Sequence, residues 1–221
     1  MRLQVLDRAL LREVDRRLQE GSRKAGKSLA CRPGCTACCI GVFTINLLDA
    51  WRLRQGLEHL ELADPAQAQA VRQRSAHVVR LVREEFPGDA RTGLLDPDEE
   101  RIDSFTQKFS NVACPALDPA TGLCALYSHR PMSCRTFGLP VLEGDEKLSP
   151  CSLCFQGSSS KEIEDCRVEP DPDGFESAIL SELPEIEADG DRETLVAYAL
   201  IPDVHVRLAS DDRTDESRAG R

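Results

Sequence analysis

The stretch CRPGCTACCIGVFT, residues 31–44, places four cysteines within nine residues, beside a Pro-Gly turn. Two of them, Cys38 and Cys39, are adjacent, and Cys31 and Cys35 precede them. Such crowding fits three uses: a disulfide staple, a set of ligands for a metal ion or cluster, or a redox-active thiol pair. The rest of the sequence has to discriminate among them.

Five further cysteines follow in two groups, and a tenth, Cys166, stands apart. Thiolates are preferred ligands of Zn²⁺ and of iron–sulfur clusters, and a tetrahedral site takes four of them. Pairs with a gap of two residues can direct both sulfurs towards one point, as Cys35/Cys38 and Cys151/Cys154 would. The predicted metal ligands are Cys31, Cys35, Cys38, Cys39, Cys114, Cys124, Cys134, Cys151 and Cys154.

The adjacent pair Cys38 and Cys39 is a special case. Neighbouring side chains diverge by about 100° on a helix and about 180° on a strand. We therefore expect the pair not to bind one small ion together. Three alternatives stay open: the two thiols serve two neighbouring metals, they serve different atoms of a cluster, or one of them is not a ligand.

Chain length and the amino terminus argue against a disulfide framework. A chain of 221 residues buries a core without covalent staples. The opening MRLQVLDRALLREVDRRLQE carries charges every few residues, unlike a secretory signal, and no apolar run approaches the roughly 18 residues of a membrane span. These features predict a cytoplasmic protein without a membrane partner, and in that reducing compartment clustered cysteines favour metal binding or chemistry.

The net charge of −10 is unevenly distributed. Residues 161–221 hold 18 acidic and 7 basic side chains, whereas residues 1–160 hold 20 and 21. No basic face interleaved with aromatic residues is present, so nucleic acid is not an expected partner. The acidic carboxyl-terminal region is typical of a solvated tail, and docking of a protein partner there is the alternative.

Apolar periodicity predicts a mainly helical chain. Leucines and Val14 at three- and four-residue steps predict a helix over residues 2–20 that stops at Gly21, followed by a flexible connector over residues 21–28. Asn46 is a predicted helix cap, and Asp64-Pro65 opens the clearest helix of the chain. One or two further helices are predicted in the acidic region, over residues 175–183 and 192–200.

The second cysteine group falls in a segment of different character. Two short apolar runs flank the turn-rich DPATG within residues 111–127, which predicts a β-hairpin. With the turn centred near Ala120, Cys124 lies opposite Ala116, so Cys114 and Cys124 project from one face. A short helix after His129 is predicted to carry Cys134.

The predicted fold class is mainly α with a short β-hairpin, an irregular α+β arrangement whose helices pack around a cysteine-rich metal-binding centre. We expect an amino-terminal amphipathic helix and linker over residues 1–27. A cysteine-cluster metal-binding domain follows over residues 28–158, with a helical insertion at about 60–105. Residues 159–221 form the acidic extension, with its last residues predicted to be disordered.

Two blocks of the sequence match a pattern of known proteins. CRPGCTACC, followed by ALDPATGLCALYSHRPMSCRTFG and a downstream cysteine, resembles the CxxCxxCC cysteine-cluster family (YkgJ-like), described as chelating zinc or iron. The resemblance covers roughly residues 28–57 and 108–155. It implies metal binding through the matching cysteines, with Cys151 as the last member, while Cys154 and Cys166 fall outside the pattern. Flagellin lysine methylases resemble the family distantly, which adds a protein-modifying role as a remote alternative.

The sequence therefore predicts a protein that chelates an iron–sulfur cluster or zinc through clustered thiolates, with a redox or protein-modifying role as one outcome. The alternative is a zinc-stabilised structural or interaction module without catalysis. The adjacent cysteines and the number of thiols favour a cluster slightly, because a single zinc ion would leave half of the thiols unused. Arg130 and Arg135, which bracket Cys134, either stabilise the thiolates or are ordinary surface arginines. His129 is more consistent with a helix start than with a ligand.

Overall fold

Helices make up most of the regular structure in the computed structural model, which describes residues 2–181 and 192–201. The α-helices are α1 Arg2–Ala25, α2 Leu47–Ala63, α3 Pro65–Val82, α4 Glu99–Lys108, α5 Met132–Thr136, α6 Ser160–Asp165, α7 Phe175–Ser181 and α8 Val196–Ala199. The strands are β1 Thr44–Asn46, β2 Gly88–Asp89, β3 Leu94–Leu95, β4 Val141–Glu143, β5 Glu146–Leu148 and β6 Glu193–Leu195. The predicted class, mainly α with short hairpins, is confirmed.

The amino-terminal helix α1 is longer than its apolar periodicity predicts. Leu10, Val14 and Leu18 are buried as expected, but the helix continues through Gly21 to Ala25. A Cβ on Gly21 would approach Val168 Cγ2 to 2.2 Å, so glycine serves close packing here. The predicted stop at Gly21 and the flexible connector are therefore wrong.

Helices α2 and α3 form a capped pair, as the sequence predicts. The Asn46 side chain accepts from the Asp49 backbone N–H at 2.8 Å, and Asp64 caps α3 by accepting from Gln67 N–H at 3.0 Å. Pro65 at the start of α3 sets the backbone for the first turn. One face of α3 is buried, and it consists of Ala68, Val71, Ser75, Val78 and Val82.

A small antiparallel sheet closes one side of this pair, with strand order β1-β6-β3-β2. Strand β6 lies between β1 and β3, with Thr194 opposite both Ile45 and Leu94. Residues 193–195 are therefore strand and only residues 196–199 are helix, so the helix predicted over residues 192–200 is largely wrong. The pairing of β6 with two distant strands is not visible in local periodicity.

The predicted hairpin at residues 111–127 is reduced to an irregular ribbon. Its pairing consists of one antiparallel bridge between Leu117 and Cys124, with Ala125 N–H donating to Ala116 O at 2.8 Å. Cys124 thus lies opposite Leu117, one position from the predicted register. The regular hairpins of the described chain are β2–β3 and β4–β5.

A buried ion-pair network joins four helices, one of which carries Cys134. The Arg52 side chain is 1% exposed and contacts Asp7 at 2.6 Å, Asp49 at 2.6 Å and Glu176 at 2.9 Å. Asp49 also accepts from the Met132 backbone N–H through both carboxylate oxygens, at 2.9 and 3.0 Å. The network therefore ties α1, α2 and α7 to the first residue of α5.

The predicted disorder of the last residues concerns residues 202–221, which lie outside the described part of the chain. The helix predicted over residues 175–183 is present as α7 within the described residues. Over residues 2–181 and 192–201, we find no helix with the length and apolar character needed to cross a bilayer. The predicted division into three regions stays a prediction.

Candidate metal centre

The cysteine-rich stretch at residues 31–39 is bent by two local turns. Cys35 N–H donates to Arg32 O at 3.0 Å, around Gly34, whose φ of +84° is in the region that favours glycine. Residues 37–39 then form a 3-10 turn, closed by Cys39 N–H donating to Thr36 O at 2.8 Å. These bends give the four cysteines two different sets of neighbours.

The first set, called here the Cys31 group, consists of Cys31, Cys35, Cys151 and Cys154. The Sγ atoms of Cys31 and Cys154 lie 4.0 Å apart, and Ala30 N–H donates to Cys154 Sγ at 3.4 Å. Phe155 N–H donates to Ser28 O at 2.6 Å, which holds the two chain segments side by side. Residues more than 100 positions apart are thereby brought together.

The thiols of the Cys31 group also influence one another electrostatically. Burial raises the pKa of Cys31 to about 12, and the nearby thiols of Cys154, Cys35 and Cys151 add to the increase. The backbone of Gly138 lies against this sulfur, because a Cβ there would come within 2.7 Å of Cys31 Sγ.

The second set, called here the Cys38 group, consists of Cys38, Cys39, Cys114, Cys124 and Cys134. Cys114 N–H donates to Cys39 O at 2.8 Å, next to a bridge between Ile40 and Ala113. The Leu117–Cys124 bridge brings Cys124 back towards Cys114, and α5 carries Cys134 as predicted.

The adjacent thiols differ most in their electrostatics. The hydrogen bond from Cys39 to the Cys38 sulfur and the nearby Arg130 guanidinium lower the pKa of Cys38 to about 6, although burial opposes the shift. The same hydrogen bond, together with burial, raises the pKa of Cys39. Cys38 therefore favours the thiolate form, and Cys39 favours the neutral form that donates the hydrogen bond.

The other three thiols of the Cys38 group are held in the neutral form in the absence of a cation. Burial raises the pKa of Cys114 to about 11, that of Cys134 to about 12, and also that of Cys124. Charge on Cys38 raises all three further, which places the sulfurs in one electrostatic neighbourhood. A bound cation would reverse this penalty, because it stabilises the thiolate form.

The sulfurs of Cys38 and Cys39 lie closer together than the divergence of adjacent side chains predicts. Their Sγ atoms are 4.0 Å apart on the 3-10 turn. The expectation that the pair points in separate directions is therefore wrong for the sulfur atoms.

The two arginines beside Cys134 have different roles. Arg135 is buried and donates to Asp15 at 2.9 Å and to Ser128 O at 2.7 Å, so it fastens the loop to α1. Arg130 stacks on Tyr127, with 3.9 Å between its guanidinium carbon and the ring centroid, and it lowers the pKa of Cys38. The thiolate-stabilising interpretation thus holds for Arg130 and not for Arg135.

Donor chemistry and spacing fit a thiophilic metal, although the thiols are not preassembled. In the described residues, no group of three or more His, Cys, Asp or Glu side chains already converges closely enough to hold an ion. The two sulfur–sulfur contacts of 4.0 Å are nevertheless close to the edge of about 3.8 Å that a Zn–S distance of about 2.3 Å gives in a tetrahedron. Sulfur donors of this kind are the ligands that zinc and iron take in proteins.

Several supporting residues were missed from the sequence. The Asp49–Arg52 pair at a three-residue step, inside the otherwise apolar segment LLDAWRL, is the signal that would have indicated a buried ion pair. No sequence signal marks the contact of Gly138 with Cys31, because the two residues are far apart in the chain. His129 lies in a 3-10 turn with its Nε2 atom 3.3 Å from His59 Nδ1, and Cys166 packs at the end of α6.

Comparison with known proteins gives one finding. Comparisons with curated proteins and with solved structures found no significant match. A family model, described as "CxxCxxCC: Putative zinc- or iron-chelating domain", matches residues 30–155, which is more than half of the chain and includes both cysteine groups. The chain therefore belongs to the CxxCxxCC family of zinc- or iron-chelating domains.

Proposed function

We propose that this chain binds zinc or iron at two separate thiolate centres, one in the Cys31 group and one in the Cys38 group. The observation that carries the proposal is the division of nine cysteines into two neighbourhoods, each drawn from distant parts of the chain. Four thiolates complete a tetrahedral site, so the Cys31 group suits one ion.

The Cys31 group suits a structural role. Its thiols join residues 28–35 to residues 151–155, close to both ends of the matched region. An ion there would cross-link the two ends, and its binding free energy would add to the stability of the folded state. This supports the zinc-stabilised module as the role of this half of the protein.

The Cys38 group offers five thiols, one more than a single tetrahedral ion takes. Adjacent Cys38 and Cys39 would then bind different atoms of a cluster, or one of the five thiols would remain free. An iron–sulfur cluster at this group is therefore the second candidate, and it would supply redox chemistry. The low pKa of Cys38, about 6, makes its thiolate available at neutral pH.

The decisive experiment measures metal and sulfide in matched variants. Protein purified without oxygen is assayed for zinc, iron and acid-labile sulfide, and its visible spectrum is recorded. We expect about two metal centres in the parent chain, loss of one in Cys35→Ser, loss of the other in Cys124→Ser, and no loss in Cys166→Ser. Colour and sulfide would assign a cluster to whichever group loses them on mutation.

Two outcomes would contradict the proposal. Loss of all metal in both Cys35→Ser and Cys124→Ser, with folding intact by circular dichroism, would mean a single centre. Parental metal content in both variants would remove these cysteines from the ligand set. Aerobic thiol counting adds a further check, since a disulfide-stabilised domain would have few free thiols and no bound ion.

A further inference from the structure

A basic hollow lies between α1 and the turn at residues 127–130, and the proposed metal centres do not account for it. Its volume is about 530 Å³, in the range of sites for small molecules. Four arginines contribute to its wall, together with a single carboxylate. The charged and aromatic lining consists of Arg8, Arg12, Asp15, Tyr127, Arg130 and Arg135.

The charges in this wall do not balance. Asp15 is paired with Arg135, whose Nη1 lies 2.9 and 3.1 Å from the two carboxylate oxygens. In residues 2–181 and 192–201, neither Arg8, Arg12 nor Arg130 forms an ion pair. Three positive charges therefore face one hollow in a chain whose net charge is −10.

This concentration of charge is costly to maintain. Arg8 and Arg12 are four residues apart on α1, a spacing at which like charges repel each other and weaken a helix. Elsewhere on the same helix, Glu13 pairs with Arg16 and Arg17. The repulsion in the hollow is what an anion would relieve.

One guanidinium is already fixed in position. Arg130 stacks on Tyr127 and donates from Nη1 to the Tyr127 backbone oxygen at 3.0 Å. Because its orientation is set before a ligand arrives, less side-chain freedom is lost on binding. The exposed Tyr127 ring also offers an apolar surface to the carbon skeleton of a ligand.

We propose that this hollow binds a small organic anion with a phosphoryl or carboxylate group, recognised by the guanidinium groups of Arg8, Arg12 and Arg130. A guanidinium presents paired N–H donors that match the oxygens of either group, and charge-assisted bonds of this kind are about twice as strong as neutral ones. The proposal does not depend on metal binding.

The test is calorimetric titration of the purified, metal-containing full-length chain at low ionic strength. Glycerol 3-phosphate represents the phosphoryl class, glutarate the carboxylate class, and glycerol is the uncharged control. We expect saturable binding of at least one anion and none of glycerol. Tighter binding of glycerol 3-phosphate would identify a phosphoryl ligand, and tighter binding of glutarate a carboxylate ligand.

Matched charge variants locate the site. Arg8→Gln/Arg12→Gln removes two charges from the hollow and should raise the Kd at least about tenfold. Arg23→Gln/Lys24→Gln removes two charges from the last turn of the same helix and should leave the Kd unchanged. Glutamine preserves helix propensity, and circular dichroism checks folding. Absence of binding of both anions, or equal weakening in the two double variants, would overturn the proposal.

Discussion

The Cys31 group and the Cys38 group offer the same sulfur donors, but the chain supports them differently. The Cys31 group joins two loops, includes the exposed Cys31, and depends on close backbone approach at Gly138. The Cys38 group combines a 3-10 turn, an irregular ribbon and α5, and the buried Arg52 network holds the first residue of α5 through Asp49. The same sulfur donors are therefore held by different parts of the chain, although Cys154, Met132 of α5 and Ile179 of α7 share one hydrophobic core.

The largest effect is expected from Arg52→Met, which removes the guanidinium that contacts Asp7, Asp49 and Glu176. Loss of one partner from a buried ion pair leaves uncompensated charge and costs about 3–5 kcal/mol. Asp49 would no longer be held against the Met132 N–H, so α5 and Cys134 should lose their position. Urea unfolding measures the loss of stability, and metal analysis should show that the Cys38 group is depleted first.

Arg16→Met is the matched control for this substitution. Arg16 also contacts two carboxylates, Glu13 and Glu20, but on the exposed face of α1. Solvent screens those pairs, so little change in stability is expected. A similar loss of stability in the two variants, or full metal content at the Cys38 group of Arg52→Met, would disprove the support that we assign to the network.

Gly138→Ala should damage the Cys31 group specifically. The new Cβ would come within 2.7 Å of Cys31 Sγ, at a residue whose φ is +110°. Backbone strain of this kind costs about 1–3 kcal/mol. We expect a destabilised protein that lacks the metal of the Cys31 group and retains that of the Cys38 group, as metal analysis of Gly138→Ala and Gly138→Ala/Cys124→Ser would show.

Gly144→Ala separates the two causes of that effect. Gly144 has a φ of +58° and no atom within 4 Å of an added Cβ, so only the left-handed backbone is penalised, by about 1–2 kcal/mol. Metal content should stay at the parental level. If Gly144→Ala lost metal as Gly138→Ala does, general destabilisation would be responsible and not the contact with Cys31.

The helices and their caps were predictable, because their signals are local. Asp64 and Pro65 mark the start of α3 by their own side chains, and the buried stripe of α3 follows a 3.6-residue period. The identity of the candidate metal ligands was a compositional prediction of the same kind, and it stays a prediction for each residue.

The division of the cysteines could not be predicted, because long-range contacts decide it. Residues 31–39 are contiguous in sequence, yet they divide between the two groups. The hydrogen bond between Phe155 and Ser28 brings Cys31 and Cys35 towards Cys154. The hydrogen bond between Cys114 and Cys39 brings Cys38 and Cys39 towards the ribbon. Strand β6 was missed for the same reason, since both of its partners lie about 100 residues or more away.

The smallest effect concerns the dependence of stability on pH. Three carboxylates share one guanidinium, and burial raises the pKa of Glu176 and of Asp49 above their ordinary values. Relative to the unfolded chain, the folded protein therefore favours the protonated form of these two carboxyl groups. The free energy of unfolding should fall as pH rises from their ordinary pKa values of about 4 towards the raised ones. Glu176→Gln should flatten this slope, by less than about 1.4 kcal/mol per pH unit.

Glu164→Gln provides the contrast that makes this slope interpretable. Lys147 and Arg167 lower the pKa of the exposed Glu164, so its stabilising contribution is lost only as pH falls below the ordinary range of a glutamate. Urea unfolding at several pH values between 4.5 and 7 gives the free energy of unfolding of the three proteins as a function of pH. The plots for the parent and Glu164→Gln should be parallel, and the plot for Glu176→Gln should be flatter. If all three plots were parallel, Glu176 would be ionised in the folded protein throughout this pH range. Arg52 would then stabilise the ionised carboxylates more strongly than one guanidinium among three carboxylates implies.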